Sequence, residues 1–287
     1  MNISVIIPVV DDLRLKNCVE SIDENVEVIV VVERPSKEIR DLVKSLGVEC
    51  FESYKLRNMG AAWNLGIKHA SNDKVFLMNS DCTFGKNCLR LINDCLDDFQ
   101  VAKARLVFTY DGFISRIIAR SREYHCGYIP GEMVPMYTPS LAIRKDLVDV
   151  LGYYFDEDIH WTEDSDLRHR IKAANIRTKY LPVAKVYHAP LSIRKDLMSA
   201  FRYGIGERIR VEKGTIIGGH NFIPVLKKIL AGHWLKYLKR VMAKKGSLVA
   251  LYMIPWNLWY FLGYHAQSIL NVYNVPPNIR RMKSFFC

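Results

Sequence analysis

Three places along the chain carry side chains that could do chemistry together. Asn79-Ser80-Asp81 follows the uncharged run Val75-Phe76-Leu77-Met78, and His188 ends the run Val186-Tyr187 just before Ala189-Pro190. Glu163-Asp164 opens the segment Glu163-Asp164-Ser165-Asp166-Leu167. A carboxylate and an imidazole are a workable ligand pair for Mn2+ or Mg2+. Such a cation can hold a diphosphate. A carboxylate placed beside an alcohol is a general-base candidate. Each feature also has a plainer use. Asn and Asp after a strand are ordinary turn formers, acids in a first helical turn suit the dipole, and a lone His is more often structural than a ligand.

The elements that must position these groups follow from periodicity. Ile3 to Val10, Val26 to Val32, Val48 to Phe51 and the run ending at Met78 read as strands, with helices between them. Asp11 and Asp12 can cap a helix reaching about Ser21, Lys37 to Leu46 is amphipathic, and Asn58 to Ala70 is helical. Such β-α alternation marks a mostly parallel sheet covered on both faces. Asp81 then falls at a strand's carboxyl end, where open α/β sheets bind ligands. Gly60 and Ala61 leave room at a helix start, either for an anion or for close packing. Further on, Lys86 to Phe99 reads as a helix and Val101 to Tyr110 as a strand. Residues 111–133 lack periodicity and read as a loop or lid. Met136 to Ile143 reads as a strand and Arg144 to Leu151 as a helix ended by Gly152. Thr162 is an expected N-cap, and Arg177 to Tyr180 and Ala184 to Tyr187 are expected short strands.

Taken in order, these pieces resemble the family-2 glycosyltransferases. Val5-Ile6-Ile7-Pro8-Val9, the Asn58/Gly60/Asn64/Gly66 helix, Leu77-Met78-Asn79-Ser80-Asp81, Thr162-Glu163-Asp164-Ser165-Asp166 with Arg170, and Val186-Tyr187-His188 carry the likeness over residues 1–200. The resemblance implies a GT-A fold and a nucleotide-sugar donor. It implies that Pro8, Val10 and Glu33 line the base pocket, with Glu33-Arg34-Pro35 departing from the usual Asp-Gly-Ser. Asn58, Gly60, Asn64, Asn79 and Asp81 would serve the donor. Asp81 and His188 would hold Mn2+ or Mg2+. Asn79 stands where the first Asp of the motif is usual, so it would contact ribose or a metal-bound water. Asp164 would be the base and Glu163 its support, giving single displacement with inversion.

Charge is divided unevenly. From Arg194 onward there are 16 Lys/Arg and 3 Asp/Glu, against 25 and 27 before it. Phe222 to Met242 has helical apolar spacing with lysines alongside, and Gly246 to Ile279 has no charged residue but holds Trp256 and Trp259. A basic amphipathic helix followed by an aromatic apolar stretch fits an anionic membrane surface. Ser247–Leu270 is long enough to span. Positive residues at both ends instead favour an in-plane or re-entrant segment. A helical appendage packed on the catalytic domain or on a second subunit is the other reading. No nucleic-acid motif accompanies the charge, so nucleic acid is not an expected partner. Seven cysteines without zinc spacing read as reduced thiols, and the first residues show no secretory signal. The expectation is a catalytic domain over 1–200 and a basic helical region over 201–287. The enzyme would be peripheral on the cytosolic membrane face and act on a lipid-linked or glycan acceptor. Transfer to a soluble or protein acceptor, or an inactive sugar-nucleotide-binding module, are the alternatives.

Overall fold

The computed structural model describes residues 1–56, 58–128, 134–216 and 233–271. The chain forms two compact units. One comprises Met1–Thr109, Cys126–Glu157 and Glu163–Ala189, the other Tyr110–His125, Asp158–Thr162 and Pro190–Cys287.

The first unit is built on an eight-stranded sheet. Its strands are β1 (Ile3–Val9), β2 (Glu27–Glu33), β3 (Glu49–Ser53), β4 (Lys74–Leu77), β5 (Cys82–Phe84), β6 (Val101–Phe108), β7 (Leu141–Arg144) and β8 (Thr178–His188). Their spatial order is β3-β2-β1-β4-β7-β6-β8-β5. The lack of charge in β1 and in residues 75–77 of β4 has a direct cause. Alternate side chains enter two different cores, Val5 and Ile7 on one face and Ile6 on the other, Phe76 on the first and Val75 and Leu77 on the second. Each fully buried Val or Ile contributes about 1.5–3 kcal/mol over the exposed state. The first face is covered by α1 (Leu15–Glu20), α2 (Lys37–Leu46) and α4 (Cys88–Asp98). The second is covered by α3 (Met59–His69), α6 (Leu147–Leu151) and α7 (Glu163–Ala173). Ser36 caps α2, Asn58 caps α3, and Gly152 closes α6 at φ 79°, a backbone region that favours glycine.

The sheet is mostly parallel, as expected, with two reversed strands. The pairs among β1, β2, β3 and β4 and the pair β6–β8 are parallel, whereas β7 runs against both β4 and β6, and β5 against β8. Alternating helices and strands reveal the parallel part. The reversal at β7 depends on a connection that periodicity does not encode. The two short strands expected near residues 177–187 are one strand, β8. Leu181 pairs with Ala104 and Lys185 with Arg105, so an irregularity absorbs residues 182–184, where Pro182 breaks the pattern.

The second unit holds α5 (Phe113–Cys126, its last residue in the first unit), α8 (Ile193–Glu212), α9 (His233–Lys245) and α10 (Ser247–Leu270). Helix α5 replaces the loop expected over 111–133, of which 129–133 lie outside the described residues. Its buried face is Ser115, Ile118, Ala119, Ser121 and Arg122, so an apolar period is hidden by small and polar side chains. Arg122 is buried against Asp196 of α8 at 2.5 Å, and Tyr252 of α10 donates to the same carboxylate at 2.6 Å. Helices α8 and α10 cross in direct backbone contact. A Cβ on Gly204 would lie 1.9 Å from the carbonyl oxygen of Tyr260, and one on Gly263 would lie 1.9 Å from that of Phe201. Residue 200, the expected domain boundary, falls inside α8. Most of the amphipathic stretch expected over 222–242 lies outside the described residues up to 232. No helix among the described residues is long and apolar enough to cross a membrane.

Candidate active site

The β5–β8 ladder brings the first two candidate residues together. Cys82 and His188 are direct partners in it, and the backbone N–H of Ala189 donates to the carbonyl of Asp81 at 2.9 Å. The imidazole Nδ1 lies 2.7 Å from the carbonyl oxygen of Ala189. A carbonyl only accepts, so Nδ1 carries a proton, and Nε2 is the nitrogen that can offer a lone pair to a cation. That Nε2 stands 3.6 Å from Oδ2 of Asp81. Cys82 adds a sulfur, and the three ligand atoms lie within 4.8 Å of one another. Burial holds the Cys82 thiol well above its ordinary pKa, and its Sγ–H lies 3.6 Å from Oδ1 of Asp81 as a donor. An aligned imidazole with its other nitrogen fixed by a carbonyl, beside a carboxylate, fits a divalent cation. These residues line a hollow of about 90 Å³ together with Arg14, Ser80, Thr109 and Tyr187.

Asp12 does not cap α1. Its carboxylate instead takes two side-chain hydrogen bonds from Arg14, at 2.8 and 2.7 Å, and one from the Arg14 backbone. Burial would raise the Asp12 carboxyl, but these bonds outweigh it and hold it below the usual range.

Glu163 and Asp164 are the first two residues of α7. Glu163 is 5% exposed and its Oε2 has no hydrogen-bond partner. Burial, reinforced by the Asp164 charge, pushes Glu163 up to about 8. At neutral pH it therefore keeps its proton. The N-cap expected of Thr162 is not made, because its Oγ1 is buried without a partner.

The residues expected at the donor divide into groups. Pro8 is buried in β1, Val10 lies just past that strand at 58% exposure, and Glu33 ends the neighbouring β2. Asn79 follows β4, with its side-chain oxygen buried and unpartnered. Asn58, Gly60 and Asn64 instead meet the segment ahead of α7. Asn58 donates to the Glu157 carbonyl at 2.7 Å, and Asn64 exchanges hydrogen bonds with the Phe155 backbone at 2.9 and 3.2 Å. A Cβ on Gly60 would sit 3.2 Å from that of Phe155 and 3.5 Å from that of Glu163, so the glycine lets α3 approach the start of α7.

Three further residues shape the site. Arg170 donates to Asp166 at 2.8 Å and to the carbonyls of Tyr153 and Tyr154, tying the start of the 153–157 segment to α7. Their spacing of four residues on a helix was a readable signal. Lys103, 2% exposed on β6, donates to the carbonyls of Tyr137 and Pro139 and to Ser140 Oγ. Burial pulls its ammonium down to about 7, with Asp164 among the neighbours that oppose the shift. Nothing in the sequence around Lys103 distinguishes it from a solvated lysine. Arg14, two residues beyond Asp12, is the third.

The fold is that of the GT-A class of glycosyltransferase. The family model for glycosyl transferase family 2 matches residues 4–149, and the chain belongs to that family. Solved structures with the same arrangement include the mannosyltransferase PcManGT from Pyrobaculum calidifontis in complex with GDP-Man and Mn2+. Its TM-score is 0.61 and its identity 17%, over 94% of this chain and 88% of that one. Residues 1–349 of S. aureus TarS give 0.53 and 16%, over 93% and 91%. Glucosyl-3-phosphoglycerate synthase from Mycobacterium tuberculosis, with Mn2+, UDP-glucose and phosphoglyceric acid, gives 0.50 and 15%, over 71% and 77%. At such identities the likeness is one of fold. No curated protein matches the chain by sequence.

Proposed function

We propose that this glycosyltransferase moves a sugar from a nucleoside-diphosphate donor to an acceptor hydroxyl by single displacement with inversion. The reading is carried by the Asp81–His188 pair, its Nε2 lone pair and carboxylate 3.6 Å apart at the edge of a hollow. Asp81 and His188 would hold Mn2+ or Mg2+, which neutralises charge on the departing diphosphate. Pro8, Val10 and Glu33, at adjoining strand ends, would take the base, and Asn79 the ribose or a metal-bound water. Asp164 would accept the proton of the acceptor hydroxyl. Glu163, holding its own proton, leaves the negative charge on Asp164. Asn58, Gly60, Asn64 and Arg170 would fix the 153–157 segment from which α7 follows. The PcManGT complex with GDP-Man and Mn2+ supports the donor class. A thermal-shift screen of nucleotide sugars with Mn2+ tests it, because a ligand bound only by the folded state raises the melting point. A rise with at least one nucleotide sugar is expected. No response to any of them, with or without the metal, contradicts it.

A lipid-linked or glycan acceptor at an anionic membrane surface is the second part of the reading. Helix α9 exposes Lys236, Lys239, Arg240 and Lys244, and α10 exposes Leu251, Leu258 and Leu262. Basic charge beside apolar surface is what an interfacial segment needs. Flotation with anionic liposomes, with and without residues 222–287, tests it. Binding by the full chain alone supports the anchor, and two unbound forms refute it.

A further inference from the structure

We propose that Arg14, steered by Asp12, is a second cationic arm of the diphosphate site and shields Asp81 until a metal arrives. The proposal rests on the donor reading above. Asp12 receives Nε and Nη2 of Arg14 on its two oxygens, at 2.8 and 2.7 Å, and Ser80 Oγ donates to it at 3.3 Å. A bidentate pair of this kind fixes the plane of the guanidinium. The same Nη2 reaches Oδ2 of Asp81 at 3.6 Å, the oxygen that faces Nε2 of His188. Arginine and imidazole therefore share one carboxylate oxygen, each 3.6 Å from it.

The unused donors point to a ligand. Nη1 of Arg14 makes no hydrogen bond among the described residues, and the side chain lines the same hollow as Asp81 and His188. A guanidinium keeps its charge at any working pH and presents a planar fork that matches phosphate oxygens. Two consequences of opposite sign follow. Arg14 competes with a divalent cation for Asp81, and it adds attraction for pyrophosphate oxygens once that cation is in place. A residue that only propped up the fold would weaken both kinds of binding together.

Calorimetric titration of the full chain separates these cases, with MnCl2 alone and then with inorganic pyrophosphate at saturating Mn2+. In Arg14→Met, Mn2+ should bind as tightly as in the wild type or severalfold tighter. Pyrophosphate should bind about tenfold to a hundredfold more weakly, the size of a lost charge-assisted hydrogen bond or two. Arg14→Lys should recover part of the pyrophosphate affinity. Asp12→Asn, which loosens the fork while keeping the arginine, should lose part of it. Unchanged pyrophosphate affinity in Arg14→Met overturns the proposal, as does a parallel fall in Mn2+ and pyrophosphate binding. If Arg14→Met does not fold, the Arg14→Lys and Asp12→Asn titrations decide by the same criteria. A wild-type chain that binds neither probe overturns the donor reading itself, whereas binding that ignores Arg14 overturns only this step.

Discussion

Nε2 of His188 and Oδ2 of Asp81 stand 3.6 Å apart because the residue after Asp81 is the direct ladder partner of His188. More than a hundred residues of chain separate the two, and a three-residue strand, β5, closes the gap. The pair is built by sheet pairing, so its geometry is as rigid as the sheet. Chelation should therefore abolish transfer while leaving the fold intact. Activity after EDTA treatment is expected to vanish and to return with Mn2+ or Mg2+, with the far-ultraviolet circular dichroism unchanged throughout.

Asp164 and Glu163 are adjacent but should fail differently. Asp164→Asn removes the proton acceptor and should lower kcat about 10²- to 10⁴-fold while donor binding persists. Glu163→Gln keeps a neutral, hydrogen-bond-capable group where a protonated carboxyl already sits, and should cost far less. Steady-state rates and nucleotide affinity measured on both variants check the contrast. Normal turnover in Asp164→Asn eliminates it as the base.

Stability should report on Glu163 through pH. Its folded pKa, about 8, lies above its ordinary value of 4.5. The unfolded chain therefore releases this proton first, and the contribution of Glu163 to stability is complete below about pH 4.5 and lost as pH climbs through 8. Glu163→Gln removes that loss. Urea unfolding should find the variant close to the wild type at pH 5 and more stable by over about 1 kcal/mol at pH 9. Equal stability gaps at the two pH values would contradict the assignment.

Arg170 should matter for the fold more than for the chemistry. Its partner Asp166 is 1% exposed, and its other donors hold the Tyr153 and Tyr154 carbonyls. Arg170→Met strands a buried carboxylate, at a cost of about 3–5 kcal/mol. Adding Asp166→Asn should restore part of that, so the double variant is less destabilised than the sum of the singles. Chemical denaturation of the three variants tests it.

Much of the first unit was legible from the chain. β1, α2 and α3 emerge from apolar runs and capping residues near where they were expected, since burial on both sheet faces leaves an uncharged signature. Asp81 and His188 were readable as candidates because Asp81 comes after an apolar strand and His188 closes the short apolar run Val186-Tyr187. The rest depends on contacts remote in sequence. Helix α5 hides its buried face behind serines and Arg122, whose partner Asp196 lies 74 residues away. The antiparallel entry of β7 leaves no local mark. Asn58 and Asn64 match a donor-side motif by spacing, yet their amides are taken up by Glu157 and Phe155, 99 and 91 residues on. Lys103 looks like any charged residue until three acceptors close around it.

Asp81 and His188 together should hold the cation that fixes a nucleotide diphosphate. Calorimetric titration of the full chain with GDP and with UDP, each with and without Mn2+, and repeated on His188→Ala and Asp81→Asn, decides this. At least one nucleotide should bind the wild type only when the metal is present, and both substitutions should weaken that metal-dependent binding by about tenfold or more. Metal-dependent binding that is equally tight in wild type and both variants would contradict it.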